Sequence, residues 1–185
     1  MTDIFGIQNP TQQGADILAS TLGARVAMPD IFKGDPWDLS NYPPPDKDAF
    51  LAWIGSNNWA KVEAILIKTI AFLKKDGAKK FGVYGFCWGA KMACLSTQLV
   101  GPAGIVHPSF IQPSDAEKVV APICLLDSKD EDKATMEEFI AALRKKPFGD
   151  KVRHKRYDDM FHGFCAGRAN YGDELNGKRA REVPP

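Results

Sequence analysis

The chain has 185 residues, which is enough for one α/β domain with its own core and too few for two ordinary domains. Hydrophobic residues make up 44% and charged residues 25%, a balance that argues against a disordered chain. The formal net charge of +1 gives no strong attraction to nucleic acid, and no apolar run approaches the roughly 20 residues of a membrane span.

The cellular setting follows from the first residues and from the cysteines. The opening MTDIFGIQNP has no basic region followed by an apolar core, so we expect no signal peptide. Four cysteines occur without a Cys-x-x-Cys pair, which argues against a zinc site or a disulfide framework (Cys87, Cys94, Cys124 and Cys165). These features predict a cytoplasmic protein without a metal and without nucleic-acid or membrane partners.

The first half of the chain reads mainly as helices. Asn9-Pro10 is typical of a helix start, the segment 11–22 has its apolar residues on one face, and Gly23 ends it. The run ARVAMPDIF (24–32) predicts a short buried strand, and the proline-rich segment 33–46 predicts a stiff surface loop. Helical periodicity then predicts two helices, at about 47–54 and 58–75.

Strands and helices alternate in the second half. The predicted strands cover 80–84, 104–107, 122–126 and 152–157, and the predicted helices cover 88–100 and 132–146. Such alternation is typical of a mostly parallel sheet with helices on both faces. The polar tail, 169–185, has little periodicity, and we expect it to be loose.

Cys87 has the sequence surroundings of a nucleophile. The stretch VYGFCWGA places it between Gly85 and Gly89, after an apolar run and before a helix. Gly-x-Cys-x-Gly copies the Gly-x-Ser-x-Gly elbow of serine hydrolases, in which glycines permit a sharp turn and close packing. The start of a helix also favours the thiolate, the reactive form of cysteine. The alternative is a buried structural cysteine, which is what a lone cysteine usually is.

A nucleophilic cysteine needs a base, and the sequence offers three histidines. His154 lies in the basic run KVRHKRY and is most simply a surface residue. His107 ends a short strand and could line a pocket. His162 follows the last predicted strand, which is where the chain order nucleophile, acid, histidine of α/β-hydrolases places the base. The orienting acid should lie in PICLLDSKDED, where the residues alone do not separate Asp127 from Asp130; Asp132 is typical of a helix N-cap.

Several motifs together resemble the dienelactone hydrolase family of α/β-hydrolases. They are DIFG, ADILASTLGARVAMPDIFKG, GFCWGAKMA, HPS and HGFCAGR, and the resemblance runs from Asp3 to about Arg168. It implies a single α/β-hydrolase domain over 1–185 that cleaves a small ester or lactone through a cysteine thioester, without a cofactor. It also implies that Cys87 is the nucleophile and His162 the base. The turn Asp127-Ser128-Lys129-Asp130 matches the family's acid-bearing turn, with Asp130 as the catalytic acid.

The resemblance also assigns residues around this triad. Asp3 matches an acidic residue beside the nucleophile, and the backbone N–H groups of Ile4 and Trp88 match an oxyanion hole. The implied substrate-binding residues are Asp3, Phe5, Phe86, Phe164 and Arg168.

The two ends depart from the family pattern. The chain begins where the family places the end of an interior strand, and it stops where the family continues into a last helix. We therefore expect the N-terminal strands and the last helix to be lacking, and the sheet to have an exposed edge through which copies of the chain associate. An alternative function is a shortened, catalytically impaired relative that acts as a binding module. A third hypothesis, a redox-active Cys87, is disfavoured because no partner cysteine has a suitable spacing.

Overall fold

The centre of the molecule, in a computed structural model that describes residues 1–183, is a parallel sheet of four strands. The strands lie side by side in chain order: β1 (Val83–Phe86), β2 (Ala103–Val106), β3 (Ile123–Ser128) and β4 (Arg153–Tyr157). One row of the sheet runs from Gly85 through Ile105 and Leu125 to His154. The predicted mostly parallel α/β sheet is confirmed.

Six α-helices surround the sheet within the described residues. They are α1 (Asn9–Leu22), α2 (Lys47–Ser56), α3 (Trp59–Lys75), α4 (Trp88–Val100), α5 (Lys133–Arg144) and α6 (Glu174–Glu182). Side-chain caps begin four of them, from Asp46, Asn58, Asp132 and Asp173. Among residues 1–183, none of the helices has the length and apolar character needed to cross a membrane.

Alternating side chains divide the core between the two faces of the sheet. Ile105 and Leu125 point to one face, where they pack with Ala93 of α4 and Phe139 of α5. All four side chains are fully buried. This packing holds α4, and therefore the residue at its N-terminus, in a fixed position over the ends of the strands.

The opposite face is covered in part by residues that were expected to be loose. Val106 and Leu126 pack there with Phe164 and with Ala180 of α6. The prediction of a loose tail is wrong for 174–182, and so is the expected lack of a last helix. The helix was missed because it buries small and polar residues rather than an apolar stripe (Asn176, Gly177 and Ala180). The last two residues of the predicted tail, 184 and 185, lie outside the described part of the chain.

The segment 24–32 does not form the predicted strand. Its backbone pairs with no described strand. Only at its end, at Ile31 and Phe32, are its side chains buried in the core. Only Met1 pairs with the outer edge of β1 in residues 1–183, through its amine to the Tyr84 carbonyl and through its own carbonyl to the Phe86 N–H. A strand needs a neighbour for its backbone groups, and 24–30 has none in this part of the structure.

A groove of about 500 Å³ separates this segment from β1. Its walls come from Met1, α1, 24–29, α3 and the residues at the beginning of the first three strands. Ligands of open parallel sheets bind at the carboxyl ends of the strands, where Cys87 lies. The groove therefore marks the open edge of the sheet rather than the candidate active site.

Candidate active site

Cys87 lies on a strained turn between β1 and α4. Its φ of 55° and ψ of −120° are rare for a residue with a side chain, as in a nucleophile elbow. A Cβ on Gly85 would overlap the carbonyl of Gly89, and a Cβ on Gly89 would overlap the carbonyl of Thr2. The two glycines are therefore required by close packing, which is the reason given for them from the sequence.

His162 is oriented by Glu131 and not by Asp130. The distance from His162 Nδ1 to Glu131 Oε1 is 2.6 Å, and the Glu131 side chain is 4% exposed. The other carboxylate oxygen of Glu131 accepts from the Ser128 N–H, which fixes its direction. The assignment of Asp130 as the orienting acid is wrong in this structure. Glu131 was missed because the run Asp-Glu-Asp offers adjacent carboxylates. Which of them contacts the His162 ring depends on tertiary contacts with the His162 loop.

The two aspartates considered from the sequence have other partners. Asp130 Oδ2 accepts from the backbone N–H of His162 at 2.8 Å, so Asp130 positions the loop rather than the ring. Asp127 is fully buried within β3, where it pairs with Arg156 and, at 2.8 Å, with His154 Nε2. Asp127 therefore joins β3 to β4. His154, expected to be a surface residue, has a side chain that is only 19% exposed.

The pKa of His162 depends on its burial and on its two acidic neighbours. Burial lowers this pKa, but the charges of Cys87 and Glu131, together with the hydrogen bond to Glu131, outweigh burial and raise it from 6.5 to about 10. The imidazole is therefore protonated at neutral pH and lies between two groups that gain from its positive charge.

Ser109 stands between the thiol and the imidazole. Its Oγ is 3.4 Å from Cys87 Sγ and 3.4 Å from His162 Nε2. Its backbone N–H donates to the Cys87 carbonyl at 3.0 Å. In the sequence, HPS contributes only to the resemblance and indicates no role for Ser109, because only the folded turn after β2 brings this residue to the elbow.

His107 forms the inner wall of the site. It is fully buried, its ring meets the ring of His162 edge-on with centroids 5.0 Å apart, and neither of its nitrogens has a partner among the described residues. Burial lowers the pKa of His107 well below its usual range, so the ring is neutral. Phe86 and Phe164 flank it, with centroids 5.9 and 5.6 Å away. Phe164 has no exposed surface, so it supports His107 from the core rather than facing a substrate as predicted.

Asp3 ties the start of the chain to the loop after His162. Its carboxylate accepts from the Phe5 N–H at 3.0 Å and from the Gly167 N–H at 2.8 Å. Burial raises its pKa to about 6, despite these hydrogen bonds. Both oxygens thus have backbone partners, and Asp3 fixes the turn that carries the next residue, Ile4.

The two predicted oxyanion-hole residues lie in one buried cluster with Cys87. Ile4 is 4% exposed and Trp88 2%. Trp88 is the first residue of α4, where a backbone N–H has no acceptor within the helix. No side chain or loop carbonyl among residues 1–183 accepts from either N–H.

Aromatic and cationic side chains form the outer part of the site. Arg168 donates to the His162 carbonyl at 3.1 Å, and its guanidinium lies 4.8 Å from the centre of the Tyr42 ring. Tyr42 also meets Phe5 edge-on, with centroids 5.6 Å apart. Tyr42 was not proposed from the sequence, since nothing in the loop 33–46 indicates that it folds back toward Arg168.

Comparisons with known proteins identify the relatives of this chain. The model of the dienelactone hydrolase family matches residues 1–183. The chain is 34% identical to an uncharacterized AIM2 family protein of Schizosaccharomyces pombe, over 97% of this chain and 75% of that protein. It is 37% identical to a carboxymethylenebutenolidase homolog of Xenopus tropicalis, over 47% of this chain and 35% of that protein.

A solved structure has the same fold. A Klebsiella pneumoniae protein described as a dienelactone hydrolase superposes with a TM-score of 0.72 at 17% identity, over 98% of this chain and 81% of that one. This likeness shows the α/β-hydrolase fold that the resemblance implied. With the family model spanning every described residue, the chain belongs to the dienelactone hydrolase family.

Proposed function

We propose that this chain hydrolyses a small ester or lactone with Cys87 as nucleophile, His162 as proton carrier and Glu131 as the group that orients His162. Membership of the dienelactone hydrolase family supports a hydrolase of ester or lactone bonds. The observation that carries the residue assignment is the strained elbow at Cys87 together with the 2.6 Å contact between Glu131 and His162.

In the first half of the reaction, the thiolate of Cys87 attacks the substrate carbonyl carbon. The carbonyl π electrons move to oxygen, and the N–H groups of Ile4 and Trp88 stabilise that oxyanion. The C–O bond to the leaving group then breaks as the carbonyl re-forms, and the imidazolium of His162 protonates the departing alkoxide. The products of this half are an alcohol and an acyl thioester on Cys87.

In the second half, His162 is neutral and acts as a base. It removes a proton from a water that attacks the thioester carbonyl, and the C–S bond breaks to release the acid and the thiolate. Glu131 holds the proton on Nδ1 throughout, so that Nε2 is the nitrogen that exchanges protons. For a lactone, the alcohol and the acid remain in one product molecule.

The outer residues support a small substrate that carries an anionic group. Arg168 brings a positive charge to the rim of the site, beside the carbonyl of His162. The exposed ring of Tyr42 adds an apolar surface beside it, and the buried ring of Phe5 supports Tyr42 from behind. A carboxylate on the substrate would pair with Arg168, which presents several donors in one plane.

The redox alternative has less support. Cys94 is the cysteine nearest in sequence, and it is fully buried in the core cluster of α4. Burial raises the pKa of its thiol, so Cys94 is poorly suited to attack an oxidised Cys87.

Hydrolysis of p-nitrophenyl acetate by the wild type, Cys87→Ala and Cys94→Ala tests the proposal. We expect Cys87→Ala to lose turnover and alkylation by iodoacetamide at this site, while Cys94→Ala keeps both. Turnover in Cys87→Ala equal to that of the wild type would overturn the mechanism. A wild type that alkylates at Cys87 but cleaves no ester or lactone would favour the binding-module alternative.

A further inference from the structure

We propose that Ser109 carries the proton between Cys87 and His162, so that the site has four linked members rather than three. The transfer forms the thiolate and imidazolium from which the proposed reaction starts, so its use in catalysis rests on the proposed function, but formation of this pair can be tested without an ester. The proposal is based on the position of the Ser109 hydroxyl, whose Oγ lies 3.4 Å from Cys87 Sγ and 3.4 Å from His162 Nε2.

The position of Ser109 is fixed by the backbone around it. Its N–H is bonded to the carbonyl of Cys87, so the turn after β2 is attached to the elbow itself. His107 and Phe110, on either side, have φ values of 36° and 62°, a region that residues with side chains rarely adopt. Strained backbone of this kind persists where the surrounding structure holds it, and it is commonest at functional sites.

The hydroxyl can serve both protonation states of its neighbours. Glu131 keeps a proton on Nδ1 of His162, so Nε2 accepts from the Ser109 hydroxyl when the ring is neutral. When the ring is cationic, Nε2 donates to the Ser109 oxygen, and the hydroxyl is free to donate to the thiolate. Serine is suited to this exchange because it has one donor and two acceptor positions.

The transfer balances without any other reactant. The thiol S–H bond breaks as its proton bonds to the Ser109 oxygen, and the original hydroxyl proton bonds to Nε2. The net result is a thiolate and an imidazolium, with Ser109 unchanged. The 3.4 Å between Ser109 Oγ and His162 Nε2 is long for a hydrogen bond, but such contacts in unliganded sites commonly shorten when the substrate binds.

Alkylation of Cys87 by iodoacetamide, followed by mass spectrometry from pH 5 to 10, measures the reactive thiolate that this hydrogen-bonded link forms and stabilises. We expect Ser109→Ala to slow alkylation at pH 7 about tenfold or more, the effect of one hydrogen bond to a charged group, and to move the midpoint of the pH profile upward. Ser56→Ala is the control, because that hydroxyl is exposed on α2 and bonds only to helix backbone and to the neighbouring Asn57 side chain.

A second pair of variants guards against a simple packing effect. Threonine and valine have nearly the same size and shape, but only threonine has a hydroxyl group. Alkylation should therefore be near the wild-type rate in Ser109→Thr and slow in Ser109→Val. Equal rates and midpoints in this pair would overturn the relay. Normal alkylation with lost p-nitrophenyl acetate turnover in Ser109→Ala would also overturn it, by placing Ser109 on the substrate.

The outcome separates the relay from the proposed function. A shifted alkylation profile in a protein that cleaves no ester would leave the relay standing and reject the hydrolase assignment. An acyl group found on Ser109 rather than on Cys87 after reaction with the ester would reject the relay, because Ser109 would then be a nucleophile.

Discussion

The carboxylate of Glu131 lies 2.6 Å from Nδ1 of His162, while the carboxylate of the preceding residue reaches only the His162 backbone. Two adjacent acidic residues thus hold the same histidine in two ways. Glu131 sets the tautomer and direction of the ring, and Asp130 sets the position of the loop that carries it.

The first prediction separates these two carboxylates. Glu131→Gln should lower kcat for ester hydrolysis by orders of magnitude, approaching the roughly 10⁴-fold known for loss of the orienting acid in a serine protease. Asp130→Asn should lower it by less than about tenfold, since the amide oxygen can still accept from the backbone N–H. Steady-state kinetics measure both, with the exposed Glu137→Gln as control. The reverse ranking would restore Asp130 as the orienting acid.

The second prediction concerns the protonation of His162. Its pKa in the folded chain, about 10, is above the ordinary value of 6.5. The associated stabilisation is therefore fully present below about pH 6.5 and is lost as the pH rises through about 10. NMR titration of the imidazole should show a cation at pH 8 and a midpoint near 10, which falls in Glu131→Gln. A wild-type midpoint near 6.5 would contradict the ion-pair arrangement.

The third prediction tests the close packing at the elbow. Gly89→Ala should destabilise the fold by about 3 kcal/mol, because the added methyl group overlaps the carbonyl of Thr2. Gly55→Ala is the matched control, since nothing lies near its Cβ position and alanine is the better helix former, by about 1 kcal/mol. Chemical denaturation measures both. An equally stable Gly89→Ala would show that Met1 and Thr2 are not docked under α4.

The fourth prediction concerns the open edge of β1. We expect the apolar groove to bind a dye such as anilinonaphthalene sulfonate and to promote association of copies of the chain. Ile70→Lys, in the groove wall, should reduce dye fluorescence and the associated fraction. Ile67→Lys, on the same helix but 53% exposed and outside the groove, should change neither. Fluorescence and sedimentation equilibrium measure the two effects, and a dye-silent monomer would contradict the prediction.

The sequence was most informative where local signals and tertiary structure agree. The elbow at Cys87 is predictable because glycines, an apolar run and a helix start all act within eight residues. The turn that carries Glu131 is different, because hydrogen bonds from Ser128 to Glu131 and from Asp130 to Ser128 decide which carboxylate turns inward. The partners that give the two carboxylates their separate roles are the ring and the backbone N–H of His162, which lie about 30 residues further along the chain, and no local propensity records them.

The two wrong predictions of secondary structure, a strand over 24–32 and a loose segment in place of α6, have a similar origin. The run 24–32 has the composition of a strand, but a strand depends on the neighbour with which it pairs. Helix α6 has a polar sequence, and its buried positions are occupied by Asn176, Gly177 and Ala180. Asn176 is kept inside by its hydrogen bonds to the Asn170 N–H and the Phe164 carbonyl, which periodicity of apolar residues cannot indicate.

The contact of Met1 and Thr2 with the first turn of α4 couples the conformation of the Cys87 elbow to the position of the chain's first residues. The carbonyl of Met1 binds the N–H of Phe86, one residue before the nucleophile, and the carbonyl of Thr2 lies against Gly89, two residues after it. Undocking this short segment would loosen the elbow on both sides. We therefore expect the rate at which a thiol reagent modifies Cys87 to change when this segment undocks, for example in dilute solution or during unfolding.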